Sequence, residues 1–283
     1  MIDLRQTKEY TRYMEQLGWQ ALQLNESFVY LRKVPLVGCV AKMQRPKILP
    51  STESVKDFCK KHNVAAFYLE PFTLPSYHTP SRTFKLAKNS FVPAKTMQID
   101  VTLTEQSLLQ KLKSKTRYNI GLAKRRGVVV KGSAEISVFS DLYKSASRER
   151  GMWLSQDIEI KALWGAFHKT GGSELLMAYK NDELLGGVLM CYSPDTAYYM
   201  YAGSTKKSKQ LFAPTLLAWE TIRLAKKRKK KIFDFEGVID ARYSSTKAWR
   251  GFTKFKEGFG GEVVEYPPTL VYYRNQILRF LGI

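Results

Sequence analysis

Two segments of the chain concentrate basic side chains at a density that is typical of sites for phosphate-bearing ligands. Residues 111–131 carry eight lysines and arginines with no acid, and residues 205–231 carry ten with Glu220 as the only acid. The whole chain has 46 basic and 25 acidic residues in 283, a net charge of +21, so the remainder is close to neutral. We predict that these segments bind a polyanion. The alternatives are a solvated helix end, where cations complement the helix dipole, and a nuclear-type basic signal.

The other reactive residue types form no pattern that supports nucleophilic or metal chemistry. The histidines stand singly at His62, His78 and His168, and no serine or cysteine occupies a nucleophile elbow. The three cysteines are far apart and odd in number, which argues against a disulfide framework or a thiol metal site and suits a reducing compartment. We therefore expect neither a metal nor another cofactor.

Length and composition are those of a soluble chain with a sizeable hydrophobic core. Hydrophobic residues make up 44% and charged residues 25%, and no stretch approaches the roughly 20 apolar residues of a membrane-spanning helix. The N-terminal MIDLRQTKEY lacks the apolar core of a secretory signal, so we expect a cytoplasmic protein. The length predicts about two compact domains or one large one.

Strand-like and helix-like patterns alternate along the chain, which predicts an α+β fold with mixed strand directions. A strand pair that turns at Asn181 and Asp182 is followed by a strand, a helix and a strand, and the first 130 residues repeat this order more crudely. The order predicts two related domains with a boundary near 132. Helices are predicted over 8–17, 54–63 (capped by Ser51 or Thr52), 104–112 (capped by Thr104), 114–127 (capped by Ser114), 137–150, 156–168, 213–229 and 245–256. Strands are predicted over 28–43 with a break at Pro35, 64–71, 97–101, 128–132, 174–180, 184–192, 196–202, 231–238 and 262–266.

The C-terminal segment 269–283 is amphipathic and is expected to pack on the first domain. A position on a membrane surface is the minority alternative. The first domain then comprises residues 1–132 and 267–283, and the second comprises residues 133–266.

Four strings of the sequence form a recognisable set. They are QRP at 44–46, KSKTRYNIGLAKRRGVVV at 113–130, YYMYAGSTKKSKQLFAPTLLAWE at 198–220, and DFEGV at 234–238 followed by GFTKFKEGFGGEVVEY at 251–266. Together they resemble the Fem family of peptidoglycan bridge-forming aminoacyltransferases. The resemblance implies two acetyltransferase-like (GNAT-like) domains with mixed sheets, packed side by side. The chain has no heptad stretch, so it looks like the compact type without a coiled-coil arm.

The resemblance also implies an activity. An aminoacyltransferase of this family moves an amino acid from aminoacyl-tRNA to an amine on the stem peptide of a peptidoglycan precursor. It implies the partners aminoacyl-tRNA and a nucleotide- or lipid-linked precursor, and no cofactor. We expect a monomer, with peripheral contact at the cytoplasmic membrane face as an additional option.

Lys256 and Glu70 are the predicted catalytic residues. The aminoacyl ester is already activated, so the enzyme has to position its substrates and stabilise charge. The resemblance places the pair Phe255–Lys256 beside the reaction centre, with the lysine stabilising the tetrahedral oxyanion. Glu70 aligns with an acidic residue near the acceptor, where it is expected to orient the ammonium or take its proton. The alternative for Lys256 is an exposed lysine on a helix. The alternative for Glu70 is a carboxylate at a strand end that forms an ion pair.

The remaining site predictions concern substrate binding. Tyr199 and Tyr201 stand two apart on a predicted strand, so they are expected to share one face and line a cleft; a core aromatic pair is the alternative. The other predicted substrate-binding residues are Phe255, Arg117 and Asn119, together with Lys42 and Arg45, which would replace a phosphate-binding lysine that is absent after Trp19. Predicted tRNA-binding residues are Lys124, Arg125, Arg126, Lys226, Lys227, Arg228, Lys229, Lys230 and Lys231.

Two departures from the family pattern keep other functions open. Ser155 and Glu159 stand where the family has an arginine and a tyrosine for the precursor, so a lipid-linked acceptor, or one outside peptidoglycan, remains an alternative. The chief rival is an acyl-CoA-dependent GNAT N-acyltransferase, disfavoured because no glycine lies between Gly203 and Gly237 to build a pyrophosphate turn. The second rival is a non-catalytic RNA-binding protein.

Overall fold

The computed structural model confirms an α+β protein. It describes residues 1–35, 38–73, 83–149 and 156–274. The α-helices are α1 (Lys8–Gln16), α2 (Thr52–Lys61), α3 (Glu105–Lys111), α4 (Ser114–Arg125), α5 (Ile136–Arg148), α6 (Asp157–Phe167), α7 (Lys206–Gln210), α8 (Ala213–Lys227) and α9 (Arg250–Lys256). The strands are β1 (Gln20–Leu24), β2 (Ser27–Val34), β3 (Gly38–Gln44), β4 (Val64–Glu70), β5 (Lys85–Leu86), β6 (Lys95–Asp100), β7 (Val129–Ser133), β8 (Ser173–Lys180), β9 (Glu183–Tyr192), β10 (Thr196–Ser204), β11 (Ile232–Gly237), β12 (Glu262–Glu265) and β13 (Leu270–Tyr273).

The chain divides into two compact units. Unit N contains Ile2–Lys95, Gly237–Arg250 and the segment from Val264 onward, and unit C contains Met1, Thr96–Glu236 and Gly251–Val263. The boundary predicted near residue 132 falls inside unit C, because β6 joins the sheet of that unit and α4 packs on α8.

Unit N is built on a six-stranded sheet in the order β1-β2-β3-β4-β13-β5. The first three strands form an antiparallel meander, and β3 and β4 run parallel with α2 between them in the chain. The start of α2 confirms one of the two predicted caps, because the Ser51 hydroxyl accepts a 3.1 Å hydrogen bond from the Ser54 amide. The core contains Val55 and Phe58 of α2 with Phe67 of the sheet.

Residues 270–273, the described part of the C-terminal segment, form a strand in the sheet of unit N. Leu270–Tyr273 pairs antiparallel with β4, and Leu270 lies opposite Leu69. Leu270 and Val271 are both buried, and a Leu-Val-Tyr-Tyr run suits a pleated, half-buried strand better than a helix. Residues 275–283, the rest of the predicted amphipathic segment, lie outside the described residues.

Unit C carries a seven-stranded sheet in the order β12-β6-β11-β10-β9-β8-β7. Strands β7 to β10 are antiparallel, and β10 and β11 are parallel with α8 as the connection. The turn between β8 and β9 is the predicted one, with Asn181 and Asp182 both at positive φ (46° and 62°). Helix α5 packs closely on β9, because a Cβ at Gly187 would lie 2.7 Å from the Phe139 ring.

The local predictions fail where short elements carry little pattern. Strand β1 and helix α7 were not predicted, and the segment before α9 is a 3-10 turn, Ser244–Trp249. Ser114 is the first residue of α4 rather than its cap, and Lys113 at the cap position makes no side-chain capping bond. Thr104 caps α3 as predicted, through a 3.1 Å bond from the Ser107 amide.

Candidate active site

Lys256 is the last residue of α9, and the backbone after it is held rigidly. A 3-10 turn, Glu257–Phe259, follows the helix and leads to Gly260, whose φ of 72° is the left-handed conformation. A Cβ at Gly260 would overlap the carbonyl of Lys111 on α3, so only glycine fits this approach. The turn constrains the backbone from which the Lys256 side chain extends.

Lys256 is half-buried, and its ammonium is largely withdrawn from solvent. Burial lowers its pKa from 10.5 to about 8, and the negative charges of Glu236 and Asp234 oppose this shift by stabilising the protonated form. At neutral pH the side chain is therefore mainly a cation, but one that releases its proton far more readily than an exposed lysine. These are the properties of a group that stabilises or relays charge.

Asp234 and Glu236 stand at the end of β11 in a constrained backbone. Asp234 is buried, and its carboxylate accepts hydrogen bonds from the Gln98 side-chain amide (2.9 Å) and from the backbone amide of Glu236 (2.7 Å). Glu236 has a φ of 61°, which is unusual for a residue with a side chain and is found in turns and functional sites. Sequence reasoning missed both acids, although the string DFEGV contains them.

Aromatic rings extend from the helix of Lys256 into unit C. Phe255 contacts Phe259 (5.2 Å between ring centroids), Phe259 contacts Phe235 (5.2 Å), and Phe235 contacts Tyr199 (5.3 Å). Burial raises the pKa of Tyr199, so its hydroxyl stays protonated. The predicted substrate-binding residues Phe255 and Tyr199 thus belong to one chain of ring contacts.

Tyr201 does not share a strand face with Tyr199, and this expectation is wrong. Tyr199 pairs with Met190 and Tyr201 with Leu189, so Met200 is an extra residue in a β-bulge. Leu189 and Met190 are adjacent on β9, so their side chains point to opposite faces of the sheet. Their partners Tyr201 and Tyr199 therefore also point to opposite faces. Tyr201 accordingly packs edge-on against Tyr143 of α5, with centroids 5.5 Å apart. The two tyrosines cannot line one cleft.

In unit N, the carboxylate of Glu70 is fully engaged within the core. The residue is 1% exposed. One oxygen accepts hydrogen bonds from the backbone amides of Phe91 (2.7 Å) and Val92 (2.9 Å), and the other from the Gln44 side chain (2.9 Å). These bonds organise the segment that leads into β6. A role as acceptor-site base would require this network to open.

Arg45 is likewise buried, at the end of β3. Its guanidinium donates to the carbonyls of Pro71 (2.6 Å) and Pro93 (2.7 Å) and stacks 3.7 Å from the centroid of the Tyr266 ring. These contacts are typical of an arginine that links loops of the protein, rather than of one that binds a phosphate ligand. Lys42 is half-buried, and its ammonium lies 4.2 Å from the centroid of the Trp19 ring.

The basic run at the end of α8 is largely engaged with the protein itself. Lys226 donates to the carbonyl of Leu103 (2.6 Å), Arg228 pairs with Glu174 (2.7 Å), Lys230 donates to the carbonyl of Ser193 (2.7 Å), and Lys231 pairs with Asp195 (2.9 Å). Lys227 and Lys229 are exposed. The run therefore offers fewer cations to a ligand than its composition predicts.

The predicted residues of the first basic segment lie on or beside α4. Arg117 is exposed and donates to the carbonyl of Leu109 (2.8 Å), and Asn119 is half-buried. Lys124 pairs with Glu220 (3.4 Å). Arg125 and Arg126 are exposed at the end of the helix. Ser155 lies outside the described residues, and Glu159 is half-buried in α6.

Among the described residues, no group of histidine, cysteine, aspartate and glutamate side chains is arranged to hold a metal ion. Within the same residues, every helix is too short or too polar to span a bilayer.

Residues 166–280 match the FemAB family model. This part of the chain is therefore similar to the FemAB family. The matched range includes β10, β11 and α9, and thus Tyr199, Asp234, Glu236 and Lys256. No curated protein matches the sequence.

Solved structures share the fold of this chain. The crystal structure of FemX superposes with a TM-score of 0.81 at 18% identity, covering 99% of this chain and 94% of FemX. L-PGS from Bacillus licheniformis gives 0.60 at 13% identity over 95% and 89% of the two chains. A tandem GNAT protein from the clavulanic acid biosynthesis pathway gives 0.52 at 12% identity over 89% and 81%. These likenesses confirm the predicted two GNAT-like domains.

Burial of Lys256 predicts a cost in stability that depends on pH. The pKa is about 8 in the folded protein and 10.5 as the ordinary value, so between these values the unfolded chain binds more protons and stability rises with pH. Replacing Lys256 by methionine should raise the free energy of unfolding at pH 7 by about 2 kcal/mol. The gain should shrink at pH 10, where the lysine is neutral in the fold.

Urea unfolding at both pH values measures this effect. The matched control is Lys254→Met, an exposed lysine of the same helix, which should change stability by less than about 0.5 kcal/mol. If K256M is less stable than wild type at pH 7, the attraction between the ammonium and the two acids outweighs the cost of burying the ammonium.

Proposed function

We propose that this protein is an aminoacyltransferase of peptidoglycan synthesis that moves an amino acid from aminoacyl-tRNA to an amine of the stem peptide. The FemAB match over residues 166–280 supports the class of enzyme. The observation that carries the proposal is the half-buried Lys256, whose pKa is lowered to about 8 beside two acids within that matched range.

The reaction requires the acceptor amine to attack the carbonyl carbon of the aminoacyl ester. A carbon–nitrogen bond forms, and the carbonyl oxygen becomes negative. The Lys256 ammonium donates a hydrogen bond to this oxygen, since a fixed cation in a poorly solvated site stabilises developing charge strongly. The bond from carbon to the ribose oxygen then breaks, the amine loses a proton, and the ribose oxygen gains one.

Asp234 and Glu236 support Lys256 in this scheme. Their charges favour the protonated lysine against the effect of burial, and the hydrogen bonds on Asp234 keep that carboxylate in place. Glu70 has no part in the scheme, because its carboxylate already accepts hydrogen bonds from the backbone amides of Phe91 and Val92 in the core.

The decisive experiment offers a set of charged tRNAs and a stem-pentapeptide precursor to the purified protein. Mass spectrometry should show the precursor heavier by one or more amino-acid residues with at least one charged tRNA. Free amino acid with uncharged tRNA is the control and should give no product. If no charged tRNA supports addition to nucleotide-linked or lipid-linked precursor, the proposal is wrong.

The rival acyl-CoA reaction has less support from the structure. Helix α8 begins after Phe212, which is in the left-handed conformation and makes no side-chain cap, and its first turn contains Pro214, which has no amide hydrogen. The helix start thus lacks the glycine-rich turn of donor amides that holds a pyrophosphate. Titration calorimetry with acetyl-CoA should show no binding, and binding at micromolar concentration would favour the rival.

A further inference from the structure

The outer face of α4 exposes an aromatic ring among basic side chains. Tyr118 is 60% exposed, and the guanidinium carbon of Arg125 lies 5.8 Å from the centroid of its ring. Lys115 stands on the same face, one turn before Tyr118, and is exposed. The surrounding segment 111–131 contains no acidic residue. We call Lys115, Tyr118 and Arg125 the α4 platform.

Gly121 makes room for this arrangement. It lies between Tyr118 and Arg125 on the helix, and a Cβ added there would come within 3.3 Å of a terminal nitrogen of Arg125. The arginine side chain therefore folds back along the helix over the glycine, towards the tyrosine ring. Glycine inside a helix is costly relative to alanine, and here it leaves space for the arginine beside the ring.

The platform fits the chemistry of an unpaired nucleotide. A base stacks on an exposed aromatic ring, and arginine and lysine neutralise the adjoining phosphates. The run at the end of α8, by contrast, has four of its six cations engaged with the protein.

We propose that the α4 platform binds the single-stranded end of an RNA, with one base stacked on Tyr118 and its phosphates on Arg125 and Lys115. The inference rests on the proposed function, since aminoacyl-tRNA carries its amino acid on an unpaired 3′ end. It adds to the proposed function the location of an RNA-binding site and the part of the RNA that binds there.

Fluorescence anisotropy with a labelled single-stranded oligoribonucleotide tests the platform. Tyr118→Ala should weaken binding about tenfold, whereas Tyr118→Phe, which keeps the ring, should bind like wild type. Neither change should alter the affinity for a blunt RNA duplex. Ile158→Ala, an exposed apolar residue on α6, is the control and should have no effect. Equal losses for single-stranded and duplex RNA would overturn the inference.

The variant Gly121→Ala separates the platform from a general loss of structure. Alanine should stabilise the helix and raise the melting temperature by about 2–4 °C. Its methyl group requires the flexible end of the Arg125 side chain to move by only a few tenths of an ångström, so binding of the oligoribonucleotide should stay close to that of wild type. A loss of binding without a loss of stability would contradict the position assigned to Arg125.

Failure of this inference can be told from failure of the proposed function. If the protein transfers amino acids from charged tRNA but Tyr118→Ala binds the oligoribonucleotide like wild type, the platform is wrong and the function stands. If polyglutamate displaces the oligoribonucleotide as easily as a competing RNA does, the surface is an unspecific cation patch and the inference fails.

Discussion

Replacement of Lys256 by alanine is expected to lower the rate of aminoacyl transfer about 10²–10³-fold, the loss that removal of one oxyanion donor causes in other acyl-transfer enzymes. The ammonium acts on charge that exists only in the transition state, so the loss should appear in kcat while the KM for tRNA changes little. Affinity for RNA should also stay the same, because the lysine is half-buried within unit C and lies outside the basic segments.

Single-turnover transfer from charged tRNA measures this loss. Lys254→Ala, two residues earlier on α9 and exposed, removes the same charge and should keep nearly full activity. A non-catalytic RNA-binding protein would show no activity that depends on Lys256. Wild-type transfer by the K256A variant would therefore end the proposed mechanism.

The pH dependence of transfer follows from the same residue. Lys256 has a pKa lowered to about 8 by burial, so the protonated fraction falls as the pH rises through 8. The rate should decline on the alkaline side of this value. In the Lys256→Arg variant, the guanidinium stays charged and the decline should move to higher pH. An alkaline limb that stays at the same pH in K256R would assign it to another group.

Salt is expected to weaken transfer by roughly 50- to 150-fold between 50 and 200 mM, if about four phosphates of the tRNA are neutralised. The physical reason is the release of counterions from RNA when lysines and arginines replace them. The effect should lie in the KM for tRNA, because the peptide acceptor carries far fewer phosphates. A flat response to salt would remove tRNA from the proposed function.

Single charge removals show which surface is responsible for the salt effect. Lys115→Gln on α4 should lower the slope of log affinity against log salt by about one. Lys33→Gln, an exposed lysine of β2 outside the basic segments, is the matched control and should leave the slope unchanged. Equal slopes for the two variants would place the RNA elsewhere.

Most elements of the fold were predictable because their signals are local. The cap at Thr104, the turn at Asn181 and Asp182, and Pro214 in the first turn of α8 all act through neighbouring backbone groups. The short strand β1 was missed, since five residues carry too little periodicity to predict.

The site was predictable only in part, because the neighbours of a side chain come from distant segments. Glu70 and Arg45 look like functional residues in the sequence, yet amides and carbonyls that arrive from later in the chain bind both of them in the core. The bulge at Met200 places Tyr201 on the sheet face opposite to that of Tyr199. No residue type in β10 predicts this bulge.

The sequence by itself determined where the charge is concentrated, which elements form, and the strings that lead to Lys256. Each of these depends on residue type and short-range spacing. Only the tertiary structure decided that Lys256 loses solvent beside Asp234 and Glu236, and that much of the second basic run is engaged by the protein's own acids and carbonyls. Desolvation and charge pairing depend on distances between segments far apart in the chain, and folding alone sets those distances.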